Sequence, residues 1–283
     1  MRAALLAGLA LLGLALAADA LFPPDLSRWR ERSSVVVGEG NRLIRAFAAP
    51  DGRWRLATAP DEVDRRYRDL LLAYEDRRFH RHPGVDPLAV ARAAGQLLAA
   101  GRIVSGASTI TMQVARLLEP GPRGVATKLR QMGRALQLEW RYTKDEILGL
   151  YLTLAPFGGN LEGVRAAALA WFGHPPDHLT LGEAALLVAL PQSPERLRPD
   201  RHPQAARAGR DKVLNRLLAQ GLLTAEQVAD ARAEPIPTAR QPLPRHSPHL
   251  AERLVAAAAP GAVIATHLDA SLQQAVARMV TSQ

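Results

Sequence analysis

The sequence predicts a mainly α-helical domain, preceded by a small β meander and by an apolar N-terminal segment that is either a transmembrane helix or a signal helix. Three observations carry this. Capping boxes stand at Thr143 with Glu146, Thr180 with Glu183, and Thr224 with Gln227, each just ahead of an apolar-periodic run. Short apolar runs near the start are separated by turn-forming residues. The run Ala3 to Ala18 is almost wholly apolar behind Arg2.

That first segment, residues 1–24, is long enough to approach a bilayer crossing at about 1.5 Å per helical residue. Arg2 keeps its start on the cytoplasmic side. The tripeptide Ala18-Asp19-Ala20 has the small-x-small form of a signal peptidase site, so an uncleaved anchor and a cleaved signal both remain open. Over residues 25–60, Val35-Val36-Val37, Leu43 to Ala48 and Trp54 to Leu56 are strand-like runs. They are separated by Gly-Glu-Gly-Asn and Pro-Asp-Gly turns and predict the meander.

Helical signals fill residues 61–233. Asp86-Pro87 reads as an N-cap with proline at the first helical position, and Gly101 closes that helix. Leu129, Met132 and Leu136 predict a buried stripe that turns Lys128, Gln131 and Arg134 elsewhere. Five prolines among polar residues make 234–248 a linker. In 249–283, Val263 to Thr266 and the amphipathic Leu272 to Val280 predict a strand and a helix that start another module.

The 283 residues are 48% hydrophobic, enough for a substantial core, and include no cysteine. Disulfides, thiolate nucleophiles and cysteine-ligated zinc are thereby excluded. The net charge of +9 is nearly all arginine, since Lys128, Lys144 and Lys212 are the only lysines. Nucleic acid, anionic lipid headgroups and a pyrophosphate are the polyanions such a chain attracts. Only 5% of residues are aromatic, and no zinc finger, stacking pair or long basic run is present, which argues against nucleic acid.

Chemistry concentrates in two stretches. Tyr74 to Asp86 packs carboxylates, imidazoles and Phe79 between two helices. Glu75, at a helix end beside aromatics, has the setting in which partial burial raises a carboxyl toward operating pH, as a general base needs. An arginine-rich surface loop is the competing reading. His80 and His82 point apart at i, i+2, so His82 is read as an orienting residue rather than a metal ligand. Ser105 to Gln113 is a hydroxyl-rich run into a helix carrying Arg116, suited to a phosphate or sugar, or simply to capping. Arg123, Lys128 and Arg130 add positive charge nearby.

The string Glu75-Asp76-x-x-Phe79-x-x-His82-x-Gly84-x-Asp86 resembles the first motif of the glycosyltransferase family 51 domain. Gly106 to Gln113 resembles its second motif, and the Lys128 to Glu139 helix its third. Later blocks are similar too, among them Tyr151-Leu152, Trp171-Phe172-Gly173 and Glu183 to Leu187. Leu117-Leu118, Ala155 to Gly159 and Pro191-Gln192-Ser193-Pro194 are similar to the 1C branch of class A penicillin-binding proteins. Thr266 to Gln273 resembles the entrance to that branch's transpeptidase domain, but the chain contains no Ser-x-x-Lys. Ala107, Met112 and Thr153 depart from the usual glycine, glutamine and asparagine, and the family's second glutamate falls on Gln131.

The resemblance implies a lysozyme-like glycosyltransferase domain with a membrane-contacting small lobe, on the periplasmic or extracytoplasmic side of the bacterial cytoplasmic membrane. It implies polymerisation of lipid II into glycan strands, with Glu75 as the base and Gln131 at the second position. Asp76, Phe79, His82, Ser108, Thr109, Thr111, Gln113, Arg116, Arg123 and Lys128 would bind substrate. A divalent cation such as Mg²⁺ would help neutralise the diphosphate, and other cell-wall synthesis proteins would be partners. A lysozyme-like muramidase and an inactive glycan-binding scaffold are the rival readings.

Overall fold

The computed structural model describes residues 13, 17, 19–100, 108–122 and 124–281. Most of the N-terminal apolar segment, residues 101–107, and Arg123 lie outside the described residues. Among the described residues, no helix is long and apolar enough to cross a membrane.

The protein is mainly helical. After a short α1 (Ser27–Arg30), strands β1 (Val35–Val37) and β2 (Leu43–Ala46) form an antiparallel pair, followed by β3 (Trp54–Arg55). The helical body comprises α2 (Arg65–Glu75), α3 (Pro87–Ala100), α4 (Ile110–Leu118), α5 (Val125–Arg141) and α6 (Lys144–Leu154). It continues, after β4 (Leu161–Glu162), with α7 (Val164–Phe172), α8 (Leu181–Ala189), α9 (Pro203–Ala219) and α10 (Ala225–Ala233). The chain closes with α11 (Pro248–Ala256), β5 (Val263–Ala265) and α12 (Ala270–Thr281).

All three capping boxes form, opening α6, α8 and α10. Helices α6 and α8 are apolar on nearly every side, as central helices must be, and both lie inside the main core. Helices α2 and α9 pack on α8, whereas α4 packs on α5 and α6. On α2, Tyr67, Leu70, Leu71 and Tyr74 form the buried i, i+3, i+4, i+7 stripe. Asp64 caps its start by accepting from Arg66 N at 2.7 Å. This packing fixes Glu75, the last residue of the helix, at the rim of the core.

The strands do not make a continuous meander. β3 pairs in parallel with β4, and β1 takes β5 as a parallel neighbour on its second edge, giving the order β2-β1-β5. A buried charge cluster diverts β3. Glu162 and Arg55, both with fully buried side chains, meet at 2.6 Å, and Arg53 reaches Glu162 at 2.8 Å. Arg28 also bonds Glu162, and Asp51 accepts from Arg55 at 2.7 Å. β5 and α11 enclose a small second core of Val36, Ile44 and Ala251. The predicted strand and helix of 249–283 thus form, but they complete the N-terminal sheet.

Residues 234–248 are strapped to the body. Glu234 Oε1 accepts from Gly182 N at 3.1 Å, and Gln241 N donates to Ala170 O at 2.7 Å. Arg240 bonds Asn160 Oδ1 at 2.9 Å and Gly158 O at 3.0 Å, lying over the Trp171 ring.

Helix α5 presents the opposite face from the one its periodicity predicts. Ala135 and Leu138 are buried, while Val125, Leu129, Leu136 and Trp140 are exposed. Gly84 supplies the reason: at φ +90° it lies against this helix so tightly that an added Cβ would sit 2.6 Å from Ala135 O. That approach presses the Ala135 and Leu138 face against the loop after α2, so Leu129, Leu136 and Trp140 turn outward. The polar edge of α5 holds residues 19–22 instead. Arg141 grips the Asp19 carboxylate at 2.7 Å, and Arg134 donates to Phe22 O at 2.6 Å.

Candidate active site

Glu75 ends α2 and opens into a cleft of about 970 Å³ that Asp76, Arg78, Asp86, Ser108 and Thr109 also line. Its carboxylate is half-buried and takes one hydrogen bond at each oxygen, from Gln113 Nε2 at 2.9 Å and from Gln192 Nε2 at 3.0 Å. Both donors are neutral amides, and among the described residues no cation pairs with Glu75. The group is oriented without being neutralised, which leaves lone pairs free to take a proton. Beneath it, burial and the Glu75 charge push the Tyr67 and Tyr151 hydroxyls well above the ordinary tyrosine range, so both remain neutral.

Asp76 is committed to the protein. His82 Nε2 faces its two oxygens at 3.0 and 3.1 Å, and Ile110 N donates to Oδ2 at 3.0 Å. Gly84 N donates to His82 Nδ1 at 3.2 Å, which makes Nδ1 the acceptor and Nε2 the nitrogen that donates to Asp76. The arrangement ties the loop after α2 to the start of α4. Thr109 caps α4 by accepting from Met112 N at 3.1 Å and donates its hydroxyl to Gly84 O.

Asp86 caps α3, with Oδ1 accepting from Leu88 N at 3.1 Å and Ala89 N at 3.2 Å, and pairs with Arg78. Burial alone raises its pKa, but the Arg78 guanidinium and the Ala89 N–H outweigh it and hold the carboxyl below the usual range. A further web lies behind the site. Lys144 Nζ sits 4.5 Å from the centre of the Phe79 ring and donates to Glu139 Oε1 at 2.6 Å and His82 O at 2.7 Å. Thr111 donates to the same Glu139 oxygen at 2.6 Å.

Phe79, His82 and Thr111, expected to touch substrate, are therefore buried and bonded within the protein, and they do not line the cleft. Gln113 reaches the site by holding Glu75. Lys128 reaches it through Ser108, to whose hydroxyl its ammonium donates. Burial and the neighbouring Arg116 charge lower the Lys128 pKa, which places Arg116 and Lys128 in one cationic group. Gln131 is half-buried on α5 and does not line the cleft.

Several residues of the site carry no signal of their own in the sequence. Arg78 resembles any loop arginine, and Gln192, though part of the Pro191 to Pro194 block, is not marked there as a partner of Glu75. Lys212 and Arg216 on α9, which also line the cleft, read as a solvated face.

Residues 40–218 match the transglycosylase family, well over half of the chain. The chain belongs to this family. Penicillin-binding protein 1C of Escherichia coli (strain K12) is 49% identical over 257 residues, which cover 91% of this chain and 33% of that protein. Penicillin-binding protein 1A of Aquifex aeolicus (strain VF5) is 39% identical over 183 residues, covering 64% of this chain and 25% of the relative. The crystal structure of penicillin-binding protein 1A from Haemophilus influenzae matches 75% of this chain and 22% of its own, at a TM-score of 0.43 and 21% identity. The chain spans a quarter to a third of the length of these curated relatives. The transglycosylase match takes in both walls of the cleft, from Glu75 on α2 to Arg216 on α9.

Proposed function

We propose that the protein is a peptidoglycan glycosyltransferase that polymerises lipid II into glycan strands at the outer face of the cytoplasmic membrane. The observation that carries this is Glu75, held by two neutral amides in an open cleft whose Ser108 is bonded by the Lys128 ammonium.

Glu75 takes the proton of the acceptor sugar's 4-hydroxyl as that oxygen forms a bond to C1 of the lipid-linked donor. The bond from C1 to the diphosphate oxygen breaks on the opposite face, and the electron pair leaves with the polyprenyl diphosphate. Configuration at C1 inverts. Lys128 and Arg116 face the charge that develops on the leaving group, the role for which preorganised cations are most effective. Arg123 is assigned to the same group by its sequence position. Asp76, locked by His82, orients the loop that follows the base.

The described residues do not fit a divalent cation held by the protein. Among them no three His, Asp or Glu side chains are grouped to hold a metal. Asp76, Asp86 and Glu139 are each committed to His82, Arg78 and Lys144, and Gln131 brings no charge. The membrane setting is supported by the outward apolar face of α5, where Trp140 and Leu136 stand exposed like Leu21 and Phe22 of the N-terminal segment held on that helix.

The test is to incubate the detergent-solubilised chain with labelled lipid II. Long glycan strands with released polyprenyl diphosphate are expected. Release of soluble muropeptides from finished glycan would make the protein a muramidase, and lipid II binding without turnover would make it a scaffold.

A further inference from the structure

The cleft has cations that the transfer reaction does not use. Besides Glu75 and its neighbours it is lined by Arg77, Arg92, Lys212 and Arg216. All four are exposed, and among the described residues none of them has an ion pair. Arg216 lies 4.6 Å over the ring of Tyr74, which places its guanidinium next to Glu75 along the chain. The carboxylates of the cleft do not balance them. Asp86 is taken by Arg78, and the charges left on Glu75 and Asp76, which are bonded to amides and to a neutral imidazole, are two against these four cations. The cleft wall therefore carries surplus positive charge.

This charge is separate from the Lys128 group. Lys128 and Arg116 belong to α5 and α4, which pack on each other, whereas Lys212 and Arg216 belong to α9, which packs on α2 and α8. Two cationic groups on different elements match two anions on one substrate. Lipid II carries a compact diphosphate and, on its muramyl sugar, a flexible peptide with more than one free carboxylate. A dispersed set of three guanidiniums and one ammonium suits the peptide, because each guanidinium fork takes a carboxylate in bidentate fashion.

We propose that Arg77, Arg92, Lys212 and Arg216 form a second anion subsite that holds the peptide carboxylates of the substrate, an inference that rests on the glycosyltransferase reading. Substrates with free peptide acids are then preferred over amidated ones. Since two or three exposed ion pairs together are worth on the order of tenfold in affinity, the preference is of that size and is screened by salt.

The experiment is equilibrium binding to the whole solubilised chain of three probes: a soluble disaccharide peptide with free carboxylates, the same molecule fully amidated, and inorganic pyrophosphate. The acid form should bind about tenfold more tightly than the amidated form. In the double variant Lys212→Gln, Arg216→Gln that preference should fall to twofold or less, with pyrophosphate affinity kept. Equal binding of the two peptides by the unaltered chain overturns the proposal, and so does a preference that survives the double variant. Loss of pyrophosphate binding in step with the peptide would reassign these cations to the diphosphate and likewise overturn it. Binding needs no turnover, so a chain that prefers the acid peptide yet never polymerises lipid II would refute the transferase reading and leave the subsite in place.

Discussion

Replacing Glu75 by glutamine separates catalysis from stability, because of how the carboxylate is held. In the native protein its two oxygens accept from Gln113 at 2.9 Å and Gln192 at 3.0 Å. Glutamine at position 75 keeps one acceptor and presents one NH₂. Either Gln113 or Gln192 can turn its amide over and offer its oxygen to that NH₂, so both bonds persist in neutral form. A charge-assisted bond exceeds a neutral one by about 0.5–1.5 kcal/mol. Partial exposure reduces that difference, so the folding cost is about 1 kcal/mol, or roughly 2–4 °C in Tm for a chain of this size. Catalysis has no such remedy, since an amide does not accept the hydroxyl proton. A lost general base costs about 10²- to 10⁴-fold in rate, roughly 3–5 kcal/mol of barrier. The paired assay is turnover of labelled lipid II beside thermal unfolding of the same preparation. Turnover within a few-fold of the parent would remove Glu75 from its role as base. Dead protein with a Tm lowered by more than about 10 °C would mean that Glu75 holds the fold.

Three other outcomes follow from the geometry. Gln131→Ala should lower turnover far less than Glu75→Gln, since Gln131 lies off the cleft; lipid II turnover of the two variants side by side checks this, and an inactive Gln131→Ala would make Gln131 essential. Glu162→Gln removes the negative centre from the fully buried Arg55 and should cost about 3 kcal/mol, or roughly 6–12 °C in Tm, whereas a loss under 1 kcal/mol would show that solvent reaches the cluster. For Asp86, whose carboxyl is held below its unfolded value of about 3.9, the stabilisation is fully present above that pH and disappears as pH falls through the lowered folded value. The stability gap between the parent and Asp86→Asn, followed by denaturant titration from pH 7 to pH 2, should be flat above about pH 5 and close on acidification. A gap that widened in acid would reverse the sign assigned to this group.

What was legible in the sequence was what is determined locally. Thr143, Thr180 and Thr224 each cap a helix through a residue three positions away, so the starts of α6, α8 and α10 were fixed within four residues of sequence. Glu75 was legible because a helix stripe ends at it and its motif follows at once. The outward face of α5 was not, because the choice between its two faces is made by Gly84, more than forty residues upstream, packing on Ala135. Strand β3 is two residues long, and its pairing with β4 follows from the Arg55–Glu162 contact, which no periodicity records. The wall of the cleft made by Lys212 and Arg216 joined the site only through the packing of α9 on α2 and α8.

The parallel pairing of Val35 with Val263 also has a consequence for how the chain is made. Strand β1, three buried valines, leaves the ribosome with β2 on one edge, while the strand for its other edge lies 228 residues later, from 263 less 35. At about 5–20 residues per second, that edge waits roughly 10–45 s for its partner. During this interval an apolar strand presents unpaired N–H and C=O groups, the condition under which chains join edge to edge. Closing so large a loop adds only logarithmically to the entropy already lost, so the sheet's weakness lies in timing rather than in equilibrium stability. The helical core between the two strands, built from near neighbours, can collapse first and carry the valine edge through the wait.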